Sequence, residues 1–261
     1  MSQLVEDAAR GVAIEVLVAG AGVDVVLLAS SMRGAADFAQ LQADMAAAGF
    51  RTLAINMRGI GRSTGPGDGL TLRDLVEDVA LVIERLCTGP VHVVGHALGN
   101  IVARAVAAFR PEWVKAVVVM PCGGHNLGHF PVAQHVLTHF ARCHMAGLSE
   151  AERRESLSVA FFAPGNDPGS WLEGWWPQAA GTSGAALGTD PQLWWRAGGK
   201  PILILHPLKD AMASPEQGRA ARDAFGAQAD YVEIPDCGHA ILPEQPAFIA
   251  REICGFLKRQ G

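Results

Sequence analysis

One ten-residue segment constrains the fold of this chain more than any other. Residues 91–94 form a short apolar run typical of a buried strand, and residues 100–109 carry a helical pattern. Between them lie Gly95 and Gly99, which permit a sharp turn from strand to helix. Such a turn exposes its central residue above the edge of a sheet, where a nucleophilic side chain can reach a substrate. The central residue is Ala97, and a methyl group cannot attack a carbonyl.

The rest of the chain repeats this alternation of strand and helix. Apolar, β-branched runs typical of strands occur at 12–18, 23–28, 51–56, 114–120, 201–205 and 231–234. Helical spacing occurs at 35–48, 72–86, 215–225 and 246–257. Thr71 and Asp74 resemble a capping box at the start of the second of these helices. The alternation predicts an α/β fold with a mostly parallel, doubly wound sheet.

Residues 121–200 interrupt this pattern between two predicted strands. They contain no comparable strand run, and 132–145 and 150–162 have helical spacing. Five of the six tryptophans lie here: Trp171, Trp175, Trp176, Trp194 and Trp195. We interpret 1–120 with 201–261 as the sheet core and 121–200 as a helical cap over a pocket. A satellite core that packs only against itself is the alternative.

Composition and charge exclude several classes of protein. Apolar residues make up 49% of the chain and charged residues 18%, so general disorder is excluded. The net charge is −5 and no basic run occurs, which argues against a nucleic-acid partner. No apolar stretch approaches the ~18–20 residues of a membrane span, and the acidic start differs from a signal peptide. The five cysteines form no C-x-x-C pair, so we expect free thiols in a soluble, cytoplasmic protein.

Four motifs resemble those of the α/β-hydrolase family over nearly the whole chain. Residues 95–99, Gly-His-Ala-Leu-Gly, resemble the family's Gly-His-Ser-Leu-Gly. Residues 56–63 resemble its Asp-x-Arg-Gly-x-Gly-x-Ser segment, with Asn56 in place of the acid. Asp210 and His239 each follow a predicted strand, in the order that the family's acid and histidine take.

The resemblance implies a role for each of these residues. His239 would be the general base, and Asp210 would orient its imidazole and stabilise the imidazolium. Taken alone, a loop histidine is usually solvated and a carboxylate of this kind usually forms a turn. The sharp turn at residues 95–99, called the elbow below, follows one strand, and the acid and the histidine each follow another. Together these three features favour a catalytic triad whose nucleophile position is Ala97.

An oxyanion hole requires two backbone N–H groups aimed at the developing alkoxide. Leu98 would supply one of them. The loop 29–34, Ala-Ser-Ser-Met-Arg-Gly, replaces the family's usual His-Gly and would supply the other. Ser31 is the donor favoured by its spacing from the strand, with Met32 as its neighbour. We expect a substrate pocket lined by Ser30, His96, Cys122, Trp171, Trp175 and Trp176.

Other chemistries have weaker support. His135 and His139 share a helix face, but no H-E-x-x-H motif completes a metal site. No phosphate-binding glycine motif occurs. Cys122 has no histidine placed for it by a motif, so a thiol nucleophile is not expected. We therefore expect neither a metal nor another cofactor.

Two explanations compete for Ala97. Either alanine replaces a catalytic serine, or the alanine is native and the protein binds a ligand or uses another chemistry. An elbow residue has strained backbone, which a chain free of catalysis would relieve with glycine, so the first explanation is favoured. An aspartate nucleophile is disfavoured, because the cap has no tyrosine and Leu98 stands where tryptophan is usual in the dehalogenase and epoxide-hydrolase branches.

These features predict a hydrolase of a carboxylic ester or lactone, with an apolar or aromatic substrate. With Ala97 the chain as it stands is predicted to be inactive. Hydrolysis of a carbon–carbon bond in a diketone is an alternative for the same triad, as is a non-catalytic ligand-binding homologue. The expected partner is a small-molecule ester or lactone, with no nucleic acid and no membrane. Whether the chain forms homo-oligomers is left open.

Overall fold

The computed structural model describes residues 1–121 and 130–261 of the chain. A single eight-stranded sheet runs through this described part in the order β1-β2-β4-β3-β5-β6-β7-β8. The strands are β1 Ser2–Asp7, β2 Val12–Gly20, β3 Val23–Leu28, β4 Phe50–Ile55, β5 Val91–His96, β6 Val114–Met120, β7 Ile202–Pro207 and β8 Ala229–Ile234. β2 runs antiparallel to both β1 and β4. The other six strands, β4, β3, β5, β6, β7 and β8 in sheet order, are parallel to one another. The predicted α/β fold with a mostly parallel sheet is confirmed.

β1 was missed by sequence reasoning because it is an edge strand with mixed polarity. Four of its six residues are exposed or charged, and only Val5 is buried. An edge strand of this kind has no apolar run to reveal it. It is recruited by pairing with β2, from Ser2 opposite Leu17 to Asp7 opposite Val12.

Helices cover both faces of the sheet. They are α1 Ala39–Ala47, α2 Leu72–Leu86, α3 Leu98–Phe109, α4 Gln134–Cys143, α5 Glu150–Ala160, α6 Ala180–Leu187, α7 Pro215–Phe225, α8 Ile241–Glu244 and α9 Pro246–Arg259. The predicted helix at 35–48 divides into a 3₁₀ turn, Ala35–Phe38, followed by α1. The predicted capping box of Thr71 and Asp74 at the start of α2 is present. None of the described helices is long and apolar enough to cross a membrane.

Alternate residues of the central strands enter two different cores. Val26 and Leu28 pack with α2 and α3 on one face, whereas Val25 and Leu27 pack with α1 and α9 on the other. Both faces of a parallel strand are thereby buried, which explains the continuous apolar runs in the sequence. The described part of 121–200 contains α4, α5 and α6 and no strand. The division into core and cap stays an interpretation of this arrangement.

Candidate active site

The turn between β5 and α3 has the strained conformation that the sequence predicts. Ala97 has φ 49° and ψ −109°, in a region that favours glycine. A Cβ at Gly95 would lie 2.3 Å from the carbonyl oxygen of Gly99, and a Cβ at Gly99 would lie 2.1 Å from that of Leu28. Both glycines are therefore required for the close approach of backbone at this turn. The Ala97 N–H donates to the Met120 carbonyl at 2.6 Å, which ties the turn to β6.

Asp210 and His239 meet at the same edge of the sheet. His239 Nδ1 lies 2.9 Å from Asp210 Oδ2, and both residues are buried. The other carboxylate oxygen, Oδ1, accepts hydrogen bonds from the Met212 and Ala213 N–H groups at 2.7 and 2.9 Å. The acid is thereby held by its own loop. Its bond to Nδ1 leaves Nε2 of the neutral imidazole as the basic nitrogen.

Three hydrogen bonds hold the loop that carries His239. The Ala240 N–H donates to the Phe161 carbonyl at 2.8 Å, and the Gly238 N–H donates to Glu244 Oε1 at 2.9 Å. His96 Nε2 donates to the His239 carbonyl at 2.8 Å. Burial lowers the pKa of His96 to about 3, so its ring is neutral. His96 is fully buried and absent from the cavity lining, which corrects the expectation that it lines the pocket.

The loop opposite, at 29–34, has its own strained residue. Met32 has φ 56°, and its carbonyl accepts the Trp176 N–H at 2.9 Å. Directly after the loop in the chain, the Ala35 N–H donates to Asn56 Oδ1 at 2.7 Å. Asn56 Nδ2 in turn donates to Glu15 Oε2 at 2.9 Å. Among residues 1–121 and 130–261, neither the Met32 N–H nor the Leu98 N–H has a hydrogen-bond acceptor.

A cavity of about 670 Å³ lies between these loops and the helices after β6. Its described lining includes Ala97, Leu98, His239 and the loop residues Ser30, Ser31 and Met32. The predicted nucleophile position, base and oxyanion candidates therefore open onto one space. The remaining walls are mostly apolar, with Phe130, Val132, Phe140, Phe161, Leu187 and Met212 among them.

The three tryptophans predicted to line the pocket lie outside this set. The Arg33 guanidinium contacts both Trp171 and Trp175, with its Cζ 4.7 and 4.8 Å from the two ring centroids. They also belong to a cluster of buried side chains around α4 and α5. Their rings are occupied by cation–π and edge-to-face contacts, which corrects the expectation of a tryptophan-lined pocket. Trp176 contacts the 29–34 loop through its backbone.

Two further expectations concern Cys122 and the histidine pair of α4. Cys122 lies outside the described residues. His135 is exposed, and His139 Nδ1 lies 3.2 Å from Ser156 Oγ. In the part of the chain that the structure describes, no group of three or more His, Cys, Asp or Glu side chains is arranged to hold a metal ion.

Sequence reasoning missed several residues that shape the site. Gln217 and Leu187 line the cavity, and Arg33 and Glu244 hold its loops. Arg33 had a weak signal, because it follows the predicted oxyanion loop residue Met32. The others had none, since their positions depend on helices packed from distant parts of the chain.

Comparison with known proteins bears on the family and the fold of this chain. The chain is 35% identical over 128 residues to a candidate carbamate hydrolase named RutD from Variovorax paradoxus (strain S110), covering 48% of this chain and 44% of that protein. The chain thus matches less than half the length of this relative. Among solved structures, an E-2-(acetamidomethylene)succinate hydrolase has a TM-score of 0.79 at 21% identity, covering 99% of both chains.

A thermophilic esterase from Thermogutta terrifontis has a TM-score of 0.77 at 20% identity, covering 100% of this chain and 99% of that one. At such identities the two solved structures establish the fold alone. The model of the alpha/beta hydrolase family matches residues 16–252, a span that includes the elbow at Ala97, Asp210 and His239. Because the family model matches that span, and the sheet order agrees with it, the chain belongs to the alpha/beta hydrolase family.

Proposed function

We propose that this site is built to hydrolyse a carboxylic ester or lactone by acyl transfer, with a serine at position 97 as nucleophile. The observation that carries the proposal is the hydrogen bond between His239 Nδ1 and Asp210 Oδ2, 2.9 Å long and buried, at the cavity onto which Ala97 opens. An orienting carboxylate for a buried histidine is the arrangement that general-base catalysis needs.

In the proposed reaction, the hydroxyl oxygen of a serine at position 97 attacks the carbonyl carbon while His239 Nε2 takes the hydroxyl proton. The tetrahedral oxyanion is stabilised by the N–H groups of Leu98 and Met32. Met32 is preferred to Ser31 as the second donor because the positive φ lies at Met32 and its N–H has no acceptor among the described residues. His239 then protonates the leaving alcohol. Water attacks the acyl-enzyme while His239 takes a proton from it, and His239 returns that proton to the serine oxygen as the carboxylic acid is released.

The strain at position 97 supports a serine there. A residue with a Cβ at φ 49° and ψ −109° costs about 1–3 kcal/mol. The chain retains this conformation, both elbow glycines, the acid and the histidine, and lacks only the hydroxyl. We infer that Ala97 stands where the catalytic form of this site carries serine.

The substitution Ala97→Ser tests the proposal. The Ala97 protein should form no acyl-enzyme, and Ala97→Ser should hydrolyse p-nitrophenyl acetate and butyrate, with a burst if deacylation is slow. The control is Ala97→Ser with His239→Ala, which should lose most of that gain. If Ala97→Ser gains no activity across a broad panel of esters and lactones, hydrolysis through this elbow is excluded.

A second candidate function is ligand binding without catalysis, which the alanine itself favours. Removing one hydroxyl leaves the cavity and the oxyanion donors in place, so this protein would bind an ester and release it unchanged. The two candidates diverge in the Ala97→Ser experiment. A binding protein would retain affinity for the ester in both forms and gain no turnover.

A further inference from the structure

The described lining of the cavity carries no full charge. Among its described lining residues there is no Asp, Glu, Lys or Arg, and the polar ones are Ser30, Ser31, Asn100, His144, Gln217 and His239. Burial lowers the pKa of His144, which keeps that ring neutral at neutral pH.

Two buried arginines adjoin the lining residues, but both are already engaged. Arg33 forms a bidentate ion pair with Asp37 at 2.8 and 2.6 Å and contacts two tryptophan rings. Arg104 Nη2 donates to Asn100 Oδ1, and its Cζ lies 4.7 and 4.4 Å from the ring centroids of Trp194 and Trp195. Stacking and hydrogen bonds hold each guanidinium in place, so neither is available to a ligand without breaking existing contacts.

We infer that this site selects electrically neutral esters and rejects those with a carboxylate near the reacting carbonyl. A carboxylate carried into the cavity would lose its hydration without gaining a cation. An apolar or aromatic group of the same size would instead bury surface against the phenylalanine and leucine walls. The ester chemistry rests on the proposed function, whereas the preference for a neutral ligand concerns binding and is tested separately.

The cap provides a position at which this preference can be reversed. Leu187, in α6, lines the cavity and is 58% exposed, so it lies at the rim. A lysine there would extend a cation over the opening with its own head group hydrated. Leu193 offers a matched control, because it is 54% exposed and outside the described lining.

The test compares benzyl methyl succinate with monobenzyl succinate, which differ by one methyl group and one charge. Titration calorimetry at pH 7.5 with the Ala97 protein should show the neutral diester binding at least about tenfold more tightly. Leu187→Lys should reduce the difference to below about threefold, and Leu193→Lys should leave it unchanged. Equal or tighter binding of monobenzyl succinate to the unsubstituted protein would overturn the inference, as would failure of the diester to bind.

Kinetics in the Ala97→Ser protein separate this inference from the proposed function. Hydrolysis of the diester alone supports both. Binding preference with no hydrolysis of any ester or lactone in the panel would remove the proposed function and leave the charge selection standing. Hydrolysis of both esters with equal kcat/KM would support the proposed function and remove the charge selection, since the carboxylate would then make no difference to the active site.

Discussion

At position 97 the backbone conformation favours glycine, yet the chain places alanine there. The φ of 49° and ψ of −109° match the first central position of a type II′ turn, which is dominated by glycine. The strain is maintained by the surrounding structure, chiefly the close contact of Gly99 with β3 and the bond from the Ala97 N–H to Met120. Strain of this kind clusters at functional sites.

Ala97→Gly should therefore stabilise the fold. Relief of strain exceeds the entropic cost of glycine, and we expect the free energy of unfolding to rise by about 1 kcal/mol. Ala103→Gly, in the regular interior of α3, is the control and should lower it by about 1 kcal/mol or more. Urea unfolding monitored by circular dichroism measures both. Equal destabilisation by the two substitutions would mean that the elbow is not strained.

The pair of Asp210 and His239 is expected to act as one unit. In the Ala97→Ser protein, His239→Ala should remove most of kcat, and Asp210→Asn should lose up to about 10⁴-fold, as in a serine protease triad. The double variant should be little slower than His239→Ala alone, because both substitutions remove the same proton transfer. Steady-state kinetics on p-nitrophenyl butyrate measure all three. Losses that multiply would show that the two residues serve separate steps.

At the scale of elements, one segment after α5 contacts both loops of the site. Near its start, the Phe161 carbonyl accepts the Ala240 N–H beside His239. Near its end, the Trp176 N–H donates to the Met32 carbonyl, and Arg33 donates to the Glu173 carbonyl at 2.6 Å. The segment 161–176 thus links the base loop to the proposed oxyanion loop, and its tryptophans serve this link.

Arg33→Lys tests whether this link positions the oxyanion donor. Lysine keeps the charge beside Asp37 but loses the bidentate fork and the guanidinium contacts with Trp171 and Trp175. In the Ala97→Ser protein we expect kcat to fall about tenfold with little change in KM, because an oxyanion donor acts mainly in the transition state. Arg73→Lys is the control, since Arg73 stacks on Phe109 outside the cavity lining. A rise in KM alone would indicate a role in ground-state binding instead.

At the scale of the whole molecule, buried histidines should make stability depend on pH. Burial lowers the pKa of His92 to about 4 and that of His96 to about 3, and it also lowers that of His206. The unfolded chain takes up protons below about pH 6.5, where the folded chain does not. Stability is therefore complete above about pH 6.5 and decreases as the pH falls toward 4 and below.

His92 offers a direct check of this dependence. It is fully buried, and within the described residues neither of its ring nitrogens has a hydrogen-bond partner. His92→Leu should reduce the loss of unfolding free energy between pH 6.5 and 4, by up to one proton in the slope. The exposed His135 is the control, and His135→Leu should leave the slope unchanged. Urea unfolding at four pH values measures the effect. An unchanged slope in His92→Leu would show that His92 does not contribute.

The sequence was sufficient for features whose cause lies within a short stretch of chain. The alternation of apolar runs with helical spacing predicted the parallel strands, because burial on both faces requires continuous apolar residues. The glycines at 95 and 99 predicted the elbow, since no other residue permits that approach of backbone. Thr71 and Asp74 predicted the start of α2, because a capping box is a contact between near neighbours.

Only the tertiary structure decided how distant segments share the site. Tryptophans at 171 and 175 have the same spacing whether they line a cavity or contact a guanidinium, and the choice depends on Arg33, some 140 residues away in the chain. β1 forms because β2 offers its edge, a pairing that its own mixed sequence does not reveal. Local patterns record what each segment can bury, whereas packing across the sheet determines which partner it meets.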